Sequence, residues 1–242
     1  MAEARFAPGA VGLAAGRRIV LTREAQGNAP WLDQLRSLGL DALDLPLLRY
    51  ETLAAPAPEG RWDWALVTSP QGARSLAEWD EMPAGVKLGA LGDGTRAALE
   101  AVGLYDVLGV NEPDGAALAR AFLDCVDPPC RVLLPGAEGR LREPGASLRA
   151  AGCKVLEVAL YRTSAVPPSE LPAAPLAPGD VVFFCSPTAV RAFAAAWSER
   201  PACVAIGATT AAAAREAGFA PEVAATPDLE AMIRAAGLDR NP

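Results

Sequence analysis

The chain has 242 residues, of which 51% are hydrophobic, so it is long enough for one large or two modest domains with filled cores. Its formal net charge is −7, and it contains neither a run of Lys and Arg nor an aromatic stripe between such residues, which argues against nucleic acid as a partner. It contains no histidine, which excludes a Ser-His-Asp or Cys-His mechanism and removes the commonest metal ligand.

The apolar runs are much shorter than the roughly 18 residues that a membrane-spanning helix needs. Residues 1–15 lack the basic start and the apolar core of a signal peptide. We therefore expect a cytoplasmic protein without a membrane partner. The five cysteines follow no metal-ligand spacing and mostly lie in apolar segments, so we expect buried, reduced thiols and no metal site.

The first predicted elements form a strand, helix, strand unit. Residues 1–16 have no periodic pattern and are interpreted as a loose arm. Residues 18–21 are predicted to be a strand, an apolar stripe over 31–38 predicts a helix ended by Gly39, and 43–47 is a second strand. Such units build parallel sheets, so the pattern predicts an α/β fold.

The same kinds of element continue to the end of the chain. Two Pro-rich segments, 50–60 and 161–178, interrupt them and are interpreted as connectors. The remaining predicted strands and helices are listed here in order: strand 65–67, strand 86–91, helix 96–102, strand 107–110, helix 115–122, strand 131–134, helix 148–151, strand 155–160, strand 181–184, strand 202–206, a helix ending at Gly218, strand 223–225 and a last helix.

This plan occurs twice. The strand that begins at Arg18 recurs at Arg131, and Gly39 recurs as Gly152, in both cases 113 positions later. Gly92 recurs as Gly207, 115 positions later. The period is too long for a solenoid and indicates two duplicated α/β halves.

Polar residues at the ends of the predicted strands indicate an anion site. Serine is common at the N-cap of a helix, and proline is common in the first turn. The unpaired N–H groups of that turn attract carboxylates or phosphates. A single turn of this kind is more often an ordinary capped helix, but all of them fall at the carboxyl edge of a parallel sheet, where such folds bind ligands. The six turns are Thr22-Arg23, Ser69-Pro70, 92–95, 135–138, Ser186-Pro187 and 207–210.

Nucleotide binding is not supported by the loop at residues 92–97. It lacks the third glycine of a dinucleotide fingerprint and the lysine of a phosphate loop. Tyr161 lies where a predicted strand meets a connector, and its role as a core or hinge aromatic or as a functional hydroxyl stays open.

Taken together, these segments resemble the uroporphyrinogen-III synthase family. The resemblance rests on residues 19–23, 63–70, 90–95, 131–138, 158–163, 180–190, 205–210 and 226–227, which span most of 17–236. It implies two similar, flavodoxin-like α/β domains with parallel sheets, an interwoven chain path, a two-stranded connector and a site in the cleft between the domains. The implied boundaries are 17–48 with 166–242 for domain 1, 56–159 for domain 2, and 49–55 with 160–165 for the connector.

The resemblance also implies the chemistry. Family members cyclise hydroxymethylbilane, a linear tetrapyrrole with eight carboxylates, to uroporphyrinogen III, inverting ring D through a spiro intermediate and releasing water. No cofactor is implied, and we expect a monomer. The alternatives are a non-catalytic two-domain module that binds a linear tetrapyrrole or another polyanion, and a periplasmic-type receptor, which the missing signal peptide disfavours.

Matching positions carry the family's roles over to this chain. Tyr161 is the expected catalytic residue, which assists departure of the hydroxyl. Two departures bear on the site: Asp93 places a carboxylate beside an expected anion site, and Gly136 stands where many relatives carry arginine. The expected substrate-binding residues are Thr22, Arg23, Ser69, Gly92, Thr95, Ser186, Pro187, Gly207, Thr209 and Thr210.

Overall fold

The computed structural model describes residues 17–79, 81–105, 107–110, 115–140, 142–173 and 176–239, so the arm expected over 1–16 lies outside the described residues. The chain divides into two compact units. Unit 1 comprises the described residues up to Arg49 and from Ser164 onward, and unit 2 comprises Tyr50–Thr163. Both boundaries fall within the segments interpreted as connectors, 49–55 and 160–165.

Strands and helices alternate along most of the chain. The elements are β1 (Ile19–Leu21), α1 (Ala25–Ser37), β2 (Ala42–Asp44), β3 (Leu48–Thr52), β4 (Trp64–Val67), α2 (Pro70–Leu76), β5 (Lys87–Leu91), α3 (Asp93–Ala101), β6 (Val107–Val110), α4 (Gly115–Leu123), β7 (Arg131–Ala137), α5 (Gly145–Ala150), β8 (Lys154–Ala165), β9 (Val181–Phe184), α6 (Pro187–Ala196), β10 (Ala202–Ala205), α7 (Ala208–Glu216), β11 (Pro221–Val223) and α8 (Leu229–Ala235).

Unit 1 is built on a five-stranded parallel sheet with the order β11-β10-β9-β1-β2. Every residue of β9 is buried, as expected for a parallel strand covered on both faces. Val181 and Phe183 face the core that contains α1 and α8, whereas Val182 and Phe184 face the core that contains α6 and α7. The alternation of side chains along the strand thus places helices on both faces of the sheet.

Unit 2 repeats this arrangement. Its sheet has the order β3-β8-β7-β4-β5-β6, and the five strands from β8 to β6 are parallel. Without the edge strand β3, the order β8-β7-β4-β5-β6 matches β2-β1-β9-β10-β11 of unit 1. Ala65 and Val67 of β4 face α2 and α3, and Leu66 faces α4 and α5. The prediction of an α/β fold with two similar parallel sheets is confirmed.

The two sequence repeats do not correspond to the two units, because equivalent strands of the repeats pair with different kinds of neighbour. β1 and β7 are equivalent in the 113-residue repeat, yet β1 pairs with β9, which lies far along the chain, and β7 pairs with β4. Unit 1 therefore combines the beginning of the chain with its last third, while unit 2 is continuous. The two chain crossings occur in β3 and β8, which are neighbours in the unit 2 sheet.

The segment 135–138 differs from the sequence prediction. We expected a turn that leads into a helix, but β7 continues to Ala137 and pairs with β8 up to Tyr161. Pairing between β7 and β4 ends at Leu133. Proline has no N–H and is tolerated in a strand that is paired on one side only, which is the situation of Pro135 beyond Leu133.

Other boundaries also shift. β3 and the end of β8 occupy parts of the Pro-rich segments that we interpreted as connectors, and β11 lies at Pro221–Val223 rather than at 223–225. α3 and α5 begin three residues before their apolar stripes, at Asp93 and Gly145. Periodicity detects buried positions, whereas the first turn of a helix is often polar or small and carries no apolar signal.

A part-buried ion pair joins the amino ends of two neighbouring strands of unit 1, β1 and β9. The Arg18 guanidinium donates to the Asp180 carboxylate from Nη2 at 2.7 Å and from Nε at 3.3 Å. Asp180 is 5% exposed and also accepts a hydrogen bond from the backbone N–H of Ala177 at 2.8 Å. Asp180 accordingly raises the pKa of Arg18.

We predict that Asp180→Asn lowers the free energy of unfolding by about 2 kcal/mol, because it removes the charge of the carboxylate that accepts two hydrogen bonds from Arg18. Asp33→Asn is the control, since the Asp33–Arg36 pair is exposed and its loss costs less than about 1 kcal/mol. Urea denaturation of both variants measures the difference. Equal losses would show that the Arg18–Asp180 pair is not a structural constraint.

Candidate functional site

In each sheet there is one place where the connections diverge to opposite faces. In unit 2, β4 leads into α2 on one face while β7 leads to α5 on the other. In unit 1, β9 leads into α6 and β1 into α1, again on opposite faces. Such switch points leave a crevice outside the carboxyl ends of the two strands, where doubly wound folds bind their ligands.

Ser69 lies at the switch point of unit 2, at the end of β4. Its backbone is extended, and its Oγ accepts the N–H of Gly72 at 3.0 Å, which makes it the N-cap of α2 with Pro70 as the first helical residue. The same Oγ lies 3.0 Å from the hydroxyl oxygen of Tyr161. The structure thus brings together two predicted site residues that are 92 positions apart in the sequence.

Tyr161 reaches Ser69 because of an irregularity in the sheet. The β7–β8 register shifts between Gly136 and Ala137, so that Ala137 pairs with Tyr161 instead of Leu160. Such a shift redirects the side chains that follow it. Tyr161 is 6% exposed, and its ring packs edge-on against Tyr50, with ring centroids 5.2 Å apart. Tyr161 is therefore both a core aromatic and a residue whose hydroxyl is held at the strand end.

The hydrogen bonds of Ser69 allow a direction to be argued for this pair. The Ser69 oxygen already accepts from Gly72, and its own O–H is free to donate to the Tyr161 oxygen. In that arrangement the Tyr161 O–H can donate to a third group. Ser69 would then hold the phenol as a hydrogen-bond donor.

A second helix of unit 2 begins at the same edge of the sheet. Gly92, with φ of +77°, is the N-cap of α3, and this backbone conformation favours glycine. No described atom lies within 4 Å of the position that a Cβ would take there. Thr95 is only 3% exposed, whereas Asp93 is exposed in the first turn, where its charge favours the helix dipole.

Unit 1 repeats these two helix starts. Ser186 is the N-cap of α6, with its Oγ accepting the N–H of Ala189 at 3.1 Å and Pro187 as the first helical residue. Gly207 is the N-cap of α7, with open space around it. In that first turn Thr209 is exposed, and Thr210, in the helical position equivalent to Thr95, is 4% exposed.

Thr22 and Arg23 follow β1 at the switch point of unit 1. The Thr22 side chain, which we expected to bind substrate, is fully buried, and its hydroxyl donates to the carbonyl of Phe183 at 2.7 Å, which ties β1 to β9. The Arg23 guanidinium lies 4.9 Å from the centre of the Trp31 ring and 3.8 Å from the Glu24 carboxylate. Arg23 is thus half-buried and oriented by its neighbours.

Asn28, which no sequence pattern indicated, shapes this turn. Its side chain is fully buried, donates to the Asp44 carboxylate at 2.7 Å and to the Leu21 carbonyl at 3.2 Å, and accepts the backbone N–H of Arg23 at 3.2 Å. Asparagine inside a helix is an unfavourable choice unless its amide is needed for a local bond. That conflict with helix propensity is the signal that could have identified it.

Arg140 was also missed, and it fills the space beside Gly136. A Cβ on Gly136 would lie 3.7 Å from Nη1 of Arg140. The guanidinium donates to the Leu134 carbonyl from Nη1 and to Thr68 Oγ1 from Nη2 at 3.4 Å. A cation therefore does occupy this strand end, although it comes from four residues further along the chain than the family pattern indicated.

The cysteines of the chain are free thiols, and the sulfur atoms of Cys130 and Cys153 lie 3.3 Å apart. Cys125 is exposed, against the expectation of buried thiols. Burial raises the pKa of Cys185 at the end of β9 to about 12, so this thiol is neutral at physiological pH. In the described part of the chain, no three Cys, Asp or Glu side chains are grouped so that they could hold a metal ion.

The sheets and switch points define an α/β protein of the doubly wound class with two similar units. The family model described as "Uroporphyrinogen-III synthase HemD" matches residues 30–234. The chain belongs to the uroporphyrinogen-III synthase family, whose members are cyclising lyases of haem and tetrapyrrole biosynthesis. The recognition made from the sequence is confirmed.

Similar proteins agree with this assignment. A protein of Oryza sativa subsp. japonica named "Uroporphyrinogen-III synthase, chloroplastic" is 27% identical, over 83% of this chain and 73% of its own length. A crystal structure of uroporphyrinogen-III synthetase from Helicobacter pylori matches with a TM-score of 0.61 and 18% identity, covering 91% of this chain and 98% of that chain. A mutant uroporphyrinogen III synthase from Thermus thermophilus matches with a TM-score of 0.50 and 22% identity, covering 93% and 100%. The two structures support the fold.

We predict that Ser69→Ala and Tyr161→Phe are coupled by about 1 kcal/mol in unfolding free energy, because each variant removes the same hydroxyl–hydroxyl bond. A double-mutant cycle followed by urea denaturation measures this coupling. Ser75→Ala with Tyr161→Phe is the control cycle, since Ser75 lies on the same helix and accepts its hydrogen bond from Gln71. If the two cycles give the same coupling, the Ser69–Tyr161 bond does not exist in solution.

Proposed function

We propose that this chain cyclises hydroxymethylbilane to uroporphyrinogen III with inversion of ring D, without a cofactor. The observation that carries the proposal is the hydrogen bond between Ser69 and Tyr161 at the switch point of unit 2. It holds a phenol where a ligand at the strand ends would meet it. Membership of the family supplies the reaction class, and this pair supplies a residue able to assist its first step.

The first step is loss of water from the hydroxymethyl carbon. The pyrrole N–H gives up its proton, the ring electrons break the C–O bond, and the departing oxygen takes up a proton and leaves as water, so that a neutral azafulvene remains. The Tyr161 O–H, with its oxygen accepting from Ser69, donates a hydrogen bond to the departing oxygen. A positioned acid of this kind typically contributes 10²- to 10⁴-fold in rate, and it requires no histidine.

The later steps depend on position. The azafulvene carbon bonds to the substituted carbon of ring D, giving the spiro intermediate, which fragments and recloses with ring D inverted. Direct ring closure at the unsubstituted carbon of ring D gives the uninverted isomer and needs no enzyme. Holding the chain ends in the inverting geometry can supply several kcal/mol of preference through orientation alone.

The carboxylates of the substrate are matched by the helix starts at the strand ends. The N-terminus of α3 in unit 2 and those of α6 and α7 in unit 1 present N–H groups and the positive end of the helix dipole. Each such contact is worth about 0.3–1 kcal/mol. We assign carboxylate contacts to Gly92 and Thr95, to Ser186 and Pro187, to Gly207, Thr209 and Thr210, and to the guanidinium of Arg23.

The proposal includes a monomer that acts in the cytoplasm. These two points rest on the sequence, and the similar rice protein is named as chloroplastic. In the described residues, no helix has both the length and the apolar character needed to cross a bilayer. Light scattering of the purified chain tests the monomer, which requires the mass of one chain.

The test of the proposed function is the isomer formed. The purified chain is added to freshly generated hydroxymethylbilane, and the products are oxidised and separated by chromatography. We expect mainly type III uroporphyrin, because the inverted closure is favoured only on the enzyme. Type I alone, from a sample shown to be folded by circular dichroism, would leave a non-catalytic tetrapyrrole-binding module as the function.

Tyr161→Phe is predicted to lower kcat by about 10²-fold and to change KM by less than about threefold, since the hydroxyl assists a reaction step rather than binding. Tyr105→Phe is the matched control, because Tyr105 is 67% exposed and its variant should behave as the wild type. Steady-state kinetics measures both. An unchanged kcat in Tyr161→Phe would remove the assigned role.

A further inference from the structure

We propose that Arg140 binds a carboxylate of the substrate, namely one carried by the pyrrole ring that bears the departing hydroxyl. The identity of the ligand rests on the proposed function, whereas the site is argued from the surroundings of the Arg140 guanidinium.

Arg140 is a cation without an anionic partner. Its two hydrogen bonds go to neutral oxygens, the carbonyl of Leu134 and Oγ1 of Thr68. Among the residues that the structure describes, no carboxylate lies within ion-pairing distance of it. Glu157, whose charge acts on Arg140, is paired with Arg149 at 2.7 Å.

The position is also a costly one for an unpaired charge. Arg140 is half-buried, and burial lowers the pKa of its guanidinium below the ordinary value. Arginine nevertheless keeps its proton in proteins, so the charge persists. A part-buried cation that the protein does not neutralise is stabilised when an anion arrives, and three of its five N–H donors remain for that anion.

The place of Arg140 in the fold determines which anion it meets. Thr68, which accepts from its Nη2, precedes Ser69 in the chain, and Ser69 contacts the Tyr161 hydroxyl at 3.0 Å. Consecutive Cα atoms are about 3.8 Å apart. A carboxylate bound by Arg140 therefore lies at the same strand end as the Ser69–Tyr161 pair. On the substrate, the carboxylates nearest to the reacting carbon are the acetate and propionate side chains of the ring that loses water.

Planar guanidinium groups bind carboxylates through two parallel N–H bonds, which fixes orientation as well as position. Arg140 is itself oriented by Leu134 and Thr68. The bound carboxylate would then fix the rotation of its ring relative to Tyr161. Arg140 is in this account a binding residue that also positions the leaving group.

The test uses Arg140→Gln, Arg140→Lys and the control Arg120→Gln, in which an exposed arginine of α4 loses its charge. Binding of uroporphyrin III, an octacarboxylate probe, is followed by fluorescence at several salt concentrations. We expect Arg140→Gln to raise Kd by about 10- to 100-fold and to flatten its dependence on salt, since an ion pair is lost. Arg140→Lys should fall between wild type and Arg140→Gln, and Arg120→Gln should match wild type.

Two results would overturn the inference. One is wild-type affinity and salt dependence in Arg140→Gln. The other is an equal loss in Arg140→Gln and Arg140→Lys with unchanged salt dependence, which indicates a structural role. Because the probe needs no turnover, a wild-type chain that makes only type I product but shows the Arg140 effect would refute the proposed function and retain this site. A wild-type chain that neither turns over nor binds the probe would refute both.

Discussion

The parallel pairing of the strands is the constraint on which the site depends. Since β4, β5, β7, β9 and β10 all run in the same direction as their neighbours, each sheet gathers the strand-to-helix turns at one edge. The helices that follow β4 and β7 lie on opposite faces of their sheet, and so do the helices that follow β9 and β1. The ends of those strands are therefore not covered by the helices that follow them. Residues that are far apart in sequence, such as Ser69 and Tyr161, meet there.

The two units share one plan but differ in chemistry. Ser69 and Ser186 are equivalent N-caps before proline, and Gly92 and Gly207 are equivalent caps of the following helix. Among the described residues, Ser69 contacts a phenol and Ser186 does not, since the position 113 residues before Tyr161 is Leu48, which cannot donate a hydrogen bond. The two units therefore present different side chains at equivalent strand ends.

Sequence patterns predicted the parts of the structure that depend on local rules. Buried strands, glycine helix ends and Ser-Pro caps each have a signature within a few residues, and the repeat extended them across the chain. The remaining features depend on distant contacts. The bond of Thr22 to Phe183, the continuation of β7 through Pro135, and the approach of Arg140 to Thr68 follow from which strands become neighbours. No spacing along the chain encodes those pairings.

The central claim is that ligand binding takes place at the carboxyl edges of the two sheets. Amide NMR of the labelled chain, titrated anaerobically with uroporphyrinogen III, tests it most directly. The account predicts shifts in the first turns of α3, α6 and α7 and in the Arg140 side chain, with little change at the opposite edge around Lys87, Arg131 and Asp180. Shifts concentrated at that opposite edge, with the first turns unchanged, would contradict it.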